Sequence, residues 1–324
     1  MRYRNLSSTA LMLPELGFGA SRLVNVDLQA SKHLVGHALN RGIHYFDTAP
    51  FYGLGQSEIK LGAGLLALGA ENPPYLLSTK VGRILTKKSN GEVAYVYDYS
   101  SQGIEKSLRD SLERLEVDHV DMVLLHDISL RWHGERVNSL LDQVLTDAYK
   151  TLLKWRESGK VKAIGLGIND CQIALRALRE ADLDFLMLAG RTTFLDQEGF
   201  NEVLPLAKKM GKSILAAAPF NSGILASGAV PGATYFAQAP SQEIIMRTQR
   251  IEEICKTFQV PMKAASLQMP LSHPSVCSVV VGYQEAAHID ENIALCDFQI
   301  DPSFWKTMVL EGLLLPSAVA ELGF

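Results

Sequence analysis

The stretch "LTDAYKTLLKWRESGKVKAIGLG", residues 145–167, changes its period halfway along. Over 145–160 the apolar residues recur at three and four, the spacing that lays one stripe along a helix. From Val161 to Gly167 the chain becomes a short, nearly continuous apolar run, the pattern of a strand covered on both faces. A helix running into a buried strand is half of a parallel βαβ unit.

The same alternation extends in both directions. Strand-like runs are "LGFGA" (16–20), "IHYFD" (43–47), "LLSTK" (76–80), "VDMVLLH" (120–126), "VKAIGLG" (161–167), "DFLMLA" (184–189), "SILAAAP" (213–219) and "SVVVG" (278–282). Helical patterns such as "GIEKSLRDSLERLEV" (103–117) lie between them. Eight buried strands alternating with helices predict an α/β chain folded as a (β/α)8 TIM barrel, with residues 1–324 as one domain because no Pro/Gly/Ser-rich linker divides them. The segment "MRYRNLSSTALML" before the first run reads as a β-hairpin closing the N-terminal mouth. Long loops are expected at 127–144 and 221–243, on the C-terminal face where barrel enzymes build their pockets.

Composition narrows the function. With 47% hydrophobic and 20% charged residues, a large core is expected rather than disorder. A formal net charge of −4 without a basic run argues against nucleic acid as a partner. Neither a membrane span nor a signal peptide is expected. Cys171, Cys255, Cys277 and Cys296 are scattered without a metal-ligand spacing, so no metal is expected, and buried thiols in a reducing cytoplasm fit.

Chemistry gathers at the ends of the early strands. The second run ends in Asp47, the third in Lys80 and the fourth in His126, and Tyr52 follows the second in a loop between Pro50 and Gly53. Taken singly, Asp47 reads as a cap, Lys80 as a solvated strand end, His126 as a core-boundary histidine and Tyr52 as a packed loop aromatic. In a barrel all four reach one mouth. There a lysine beside a tyrosine favours the phenolate, an aspartate holds the lysine, and a histidine orients an oxygen.

The stretches "FDTAPFYGLGQSE", "STKVGR", "SLRDSLERLEVDHVDMVLLHD" and "GKVKAIGLGIND" resemble signature segments of the aldo-keto reductase superfamily. The resemblance implies a catalytic tetrad of Asp47, Tyr52, Lys80 and His126. It also implies a nicotinamide cofactor across the C-terminal face, at Gly19, Asp47, Asn169, Phe220, Ser222, Gly282, Tyr283, His288, Glu291 and Asn292. Relatives commonly carry Ser-Asn after the fifth strand, whereas Gly167 and Ile168 stand here, so Asn169 is the residue implied to meet the nicotinamide amide. The segment "VVGYQEAAHIDEN" (280–292) contains no Lys or Arg to receive a 2′-phosphate, which favours NAD over NADP.

Within the superfamily, "HDIS" (126–129), "WHGE" (132–135), "AGRTTFLDQEG" (189–199) and "FWKTMVLEGLL" (304–314) resemble the group of D-threo-aldose (L-fucose) 1-dehydrogenases, pyridoxal 4-dehydrogenases and L-galactose dehydrogenases. The expected reaction is oxidation of a small cyclic hemiacetal, a sugar or pyridoxal, to a lactone. Trp132 and His133 are candidate pocket walls. Arg191 is a candidate substrate contact, with pairing to Asp196 or Glu198 as its other reading. A general NADPH-dependent aldehyde reductase, and a nucleotide-sensing subunit of a membrane channel, are the alternatives.

Overall fold

The computed structural model describes residues 1–7, 9–69 and 73–322. Its strands are β1 (Tyr3–Asn5), β2 (Met12–Pro14), β3 (Leu16–Gly19), β4 (Tyr45–Asp47), β5 (Leu76–Val81), β6 (Arg83–Lys87), β7 (Val93–Tyr97), β8 (Met122–His126), β9 (Ala163–Ile168), β10 (Phe185–Ala189), β11 (Ser213–Ala217) and β12 (Val276–Gly282). Eight of them, β3, β4, β5, β8, β9, β10, β11 and β12, close in that order into a parallel barrel, with β12 pairing back onto β3. Helices surround it, so the chain is a (β/α)8 barrel. Each of the eight predicted runs supplies one barrel strand.

The two-residue period of a strand sorts the side chains. Along β8, Met122 and Leu124 point into the barrel core and Val123 and Leu125 out toward the helices. His126 therefore falls on the inward parity, at the strand's C-terminal end. The same count puts Tyr45 and Asp47 of β4, and Ser78 and Lys80 of β5, on the inner side. Glycines make room among them: a Cβ on Gly17 would lie 2.7 Å from the Tyr45 ring, and one on Gly165 2.8 Å from the Phe185 carbonyl oxygen.

The antiparallel pair β1–β2 is the predicted N-terminal hairpin. Leu6, Leu11 and Leu13 join the barrel-interior cluster with Tyr45, Met122, Leu124 and Phe185, plugging the bottom with apolar surface. Glu15 is held by Arg2 and Arg4, and Arg4 also donates to the carbonyls of Leu271 and Val276.

Two features differ from the sequence expectation. β6 and β7 form a second antiparallel hairpin beyond β5. Its signal lies in "RILTKKSNGEVAYVY", two β-prone runs around Asn90-Gly91, with Gly91 at φ 82°. The segments 127–144 and 221–243 also carry helical pieces, including Leu130–His133, Val137–Thr146 and Ile224–Ser227. Burial of Val137, Leu141 and Val144 at helical spacing explains the longest of these. The four cysteines are buried thiols, and no described helix is long and apolar enough to cross a membrane.

The helix Gln56–Leu66, which follows the Tyr52 loop, packs so closely on Ser101–Leu115 that a Cβ on Gly62 would sit 2.1 Å from the Leu115 carbonyl oxygen. Gly62→Ala is expected to cost about 1–3 kcal/mol by overpacking, measured as a lower denaturant midpoint. An unchanged midpoint would show that the two helices separate freely.

Candidate active site

Asp47, Lys80 and His126 are almost fully buried at the barrel's C-terminal mouth, 2%, 2% and 5% exposed, and Tyr52 is half-buried above them. The Lys80 ammonium donates to Asp47 Oδ2 at 2.6 Å and to the Thr48 carbonyl at 2.8 Å. Asp47 Oδ1 accepts from Ser78 Oγ at 2.7 Å, and Ser78 Oγ lies 2.9 Å from the Tyr45 hydroxyl. The carboxylate is thus satisfied on both oxygens, as a buried charge requires. Lys80 Nζ stands 4.9 Å from the centre of the Tyr52 ring, and the Tyr52 and His126 rings meet edge to face at 5.9 Å.

The loop that carries Tyr52 is held by unusual backbone. Gly53, Leu54 and Gly55 have φ of 59°, 50° and 93°, and a Cβ on Gly53 would collide with Val24 at 2.4 Å. The glycines permit a tight path that returns Tyr52 over Lys80.

Burial is the largest influence on Tyr52 and raises its phenol above the usual tyrosine value, while Lys80 pulls it back. Lys80 favours the phenolate, as expected of a lysine beside a tyrosine, and desolvation outweighs it. Burial pushes the Lys80 ammonium down, but Asp47 and Tyr52 together carry it above the usual lysine value, so it keeps its proton. Burial, with Lys80 and Arg83, drives the His126 imidazole well below its ordinary range.

A cleft of about 770 Å³ leads from Asp47 and Tyr52 along the barrel mouth to the helix Ala286–Cys296. It is lined by the predicted Gly19, Asp47, Phe220, Ser222, Gly282, His288, Glu291 and Asn292. Tyr283 instead packs behind the wall, 5.3 Å from the Phe18 ring. Asn169 follows β9, with its carbonyl accepting from Arg191 Nε at 2.8 Å, off the cleft lining.

The candidate substrate residues also lie off this lining. Trp132 covers the Arg83 guanidinium at 4.7 Å, and His133 sits with Nε2 3.1 Å from the Asp127 carbonyl and its ring 4.5 Å from Tyr97. Arg191 pairs with Asp196 at 2.7 Å and Glu198 at 3.4 Å.

Sequence reasoning missed Ser21, Arg22, Lys263 and Gln284, all on the lining. Arg22 comes from the turn Ala20–Asn25 after β3, and Lys263 from the helix Met262–Ser272 before β12. Neither lies in the 280–292 segment, which is why a search of that segment alone overlooks them. Lys263 is ion-paired with Glu291. At Gly282 a Cβ would meet Arg22 Cγ at 2.7 Å, so only glycine leaves the cleft open beside that cation. Titratable groups at one end, and two cations with hydroxyl and amide donors along the rest, fit an extended nucleotide carrying phosphates.

A buried cluster of titratable side chains at the end of a nucleotide-sized cleft, on a barrel mouth, is the layout of an oxidoreductase of the (β/α)8 class. The Aldo/keto reductase family model matches residues 15–309, and the chain belongs to that family, whose members use nicotinamide cofactors. It is 36% identical to a pyridoxal 4-dehydrogenase of Microbacterium luteolum, over 96% of this chain and 97% of the relative. It is also 36% identical to a D-threo-aldose 1-dehydrogenase of a Pseudomonas species, with the same coverage of 96% and 97%. An aldo-keto reductase structure from Bacillus halodurans superposes with a TM-score of 0.78 at 21% identity over 97% of each chain, a likeness of fold.

Proposed function

We propose that the chain oxidises a cyclic hemiacetal, an aldose such as L-fucose or another D-threo-aldose at C1, to a lactone with NAD as hydride acceptor. The observation that carries this reading is the buried Asp47–Lys80 pair beneath Tyr52, with His126 opposite and the cleft beginning at the same point. A bound oxidised nicotinamide supplies the hydride acceptor and a positive ring that favours an ionised neighbour. Gly19, Phe220, Ser222, Gly282, His288, Glu291 and Asn292 are the residues that would hold the nucleotide.

Tyr52 is the proton acceptor. As hydride leaves C1, the anomeric O–H proton passes to the Tyr52 oxygen and the remaining C–O bond becomes the lactone carbonyl. Lys80 stabilises the phenolate that receives this proton, and Asp47 and the Thr48 carbonyl keep Lys80 charged and in place. His126, neutral in its buried setting, offers a hydrogen bond that orients the reacting oxygen.

A second substrate reading has a specific support. The relative named pyridoxal 4-dehydrogenase is as similar as the aldose enzyme, and pyridoxal cyclises to a hemiacetal whose oxidation also yields a lactone. Initial rates with L-fucose, D-arabinose, L-galactose and pyridoxal, each with NAD and with NADP, separate the two. Turnover of one of these with NAD is expected. Silence throughout, with an aldehyde then reduced by NADPH, would overturn both the direction and the cofactor.

The preference for NAD is supported by charge. The loop after β12 brings no cation, and of the two cations on the cleft Lys263 is already engaged by Glu291, which leaves Arg22 beside Gly282. A dianionic 2′-phosphate arriving there meets that carboxylate. Glu291→Gln frees Lys263, so NADP binding is expected to gain about tenfold relative to NAD, a shift of about 1.4 kcal/mol. Quenching of protein fluorescence on titration with each nucleotide reads the ratio. A ratio equal to wild type would remove the Lys263–Glu291 pair from the discrimination.

A further inference from the structure

We infer that Lys60 is a positioning residue. Its ammonium holds the turn Ala20–Asn25, one wall of the cleft, against the helix that follows the Tyr52 loop, and so sets a bound nucleotide in register with the Tyr52 hydroxyl. The inference rests on the reading of the cleft as the nucleotide site.

Lys60 stands near the start of the helix Gln56–Leu66. Its Nζ donates to the carbonyls of Val26 at 2.5 Å, Leu23 at 3.0 Å and Val24 at 3.2 Å, so all three ammonium protons have acceptors. These carbonyls lie at the C-terminal end of the turn, where acceptors outnumber donors and a cation is favoured. A cap alone needs no long reach. This one comes from 34 to 37 positions further along the chain, and it joins two elements that meet only on folding.

The turn touches both halves of the site. Ser21, Arg22, Val24 and Asn25 line the cleft. The Arg22 stem lies over Gly282, where a Cβ would come within 2.7 Å of it, and Val24 lies on Gly53, where a Cβ would come within 2.4 Å. Gly282 ends β12, and Gly53 follows Tyr52 directly. Close packing on two glycines limits how near the turn can come, but dispersion over so few atoms holds it there only weakly. The polar ties come from the helix. Ser57 Oγ donates to the Ala20 carbonyl at 2.8 Å and lies 2.9 Å from Thr48 Oγ1, while the Ser57 amide donates to the Tyr52 carbonyl at 3.2 Å. Ser57 and Lys60, three apart on one helix face, thus tie the start and the end of the turn.

Lys60 is off the cleft lining, so it acts through the turn. Without the ammonium, three carbonyls need water in its place, and the end of the turn is released from the helix. Arg22 then loses its seat over Gly282 and Val24 its seat on Gly53. Nucleotide affinity and turnover should therefore fall together. A lysine that only added stability would change neither in protein that is still folded, and loss of the Tyr52 hydroxyl would lower turnover alone.

The test is a double-mutant cycle on the full chain, read as the Kd for NAD by quenching of protein fluorescence. Lys60→Met keeps the stem and drops the ammonium, and is expected to raise the Kd about tenfold and to lower kcat by a similar factor. In an Arg22→Met background the same change should raise the Kd by about threefold or less, because the cation that Lys60 seats is already gone. Lys60→Arg, which returns a cation to the same carbonyls, should recover most of the affinity. Lys60→Gln takes the place of Lys60→Met if that variant does not fold. A wild-type Kd in the folded variant, or an equal loss with and without Arg22, would overturn the inference. Failure of the wild type to bind either NAD or NADP would instead overturn the nucleotide reading of the cleft, and the inference with it.

Discussion

Tyr52→Phe is expected to lower kcat for hemiacetal oxidation by about two to four orders of magnitude, the usual contribution of a positioned proton-transfer group. The change removes one oxygen and leaves the ring against His126 and above Lys80, contacts made at 5.9 Å and 4.9 Å. The cleft keeps Gly282, His288, Glu291 and Asn292, so the nucleotide should bind with nearly its original affinity. A fall in kcat with unchanged nucleotide binding is the signature of a group that acts in the transition state. Near-wild-type turnover would mean that the proton leaves by another route and that Tyr52 is a wall.

Lys80→Met is expected to act in two ways. The ammonium is the group that pulls the Tyr52 phenol back down against burial, so its loss moves Tyr52 further up. The proposed oxidation needs the ionised form, so the rising limb of the pH–rate profile is expected to move to higher pH and turnover at neutrality to fall steeply. The second effect is on stability. Asp47 is buried and loses its cation, and an orphaned buried charge costs about 3–5 kcal/mol. Burial already holds the Asp47 carboxyl above its ordinary value, with Lys80 opposing, and deletion of Lys80 raises it further. A carboxyl raised in the folded state loses stability as pH climbs through its folded value, so the variant should weaken relative to wild type with increasing pH. Adding Asp47→Asn should recover much of the melting temperature and none of the turnover. A pH–rate profile identical to wild type would show that Lys80 does not tune Tyr52.

Much of the architecture was legible because barrel strands leave a local record. Each is a short run of apolar residues buried on both faces, and each is followed by a helical stripe. The parity of Asp47, Lys80 and His126 was equally readable, since each closes one of the predicted runs two residues after Tyr45, Ser78 or Leu124. The β6–β7 hairpin was less visible. Its Asn90-Gly91 turn is a clear signal, but Arg83, Tyr95 and Tyr97 look like an ordinary amphipathic ribbon until the fold stacks them with Phe51 and Trp132. The same is true of Trp132 and His133, whose residue types suggest a pocket wall and whose rings pack on Arg83 and Tyr97.

By itself the sequence determined that the chain is a (β/α)8 barrel and that an acid, a base, a phenol and an imidazole reach one of its mouths. Periodicity and residue type are local quantities, and a closed barrel brings the C-terminal ends of its strands to one rim. The tertiary structure alone decided which cations enter the nucleotide cleft, since Arg22 and Lys263 lie far from the 280–292 segment in the chain and meet it only on folding. It also decided the electrostatic balance at Tyr52 and His126. Desolvation and the distances to Lys80, Arg83 and Asp127 set that balance, and both depend on what the fold packs around a group rather than on the residues beside it in the chain.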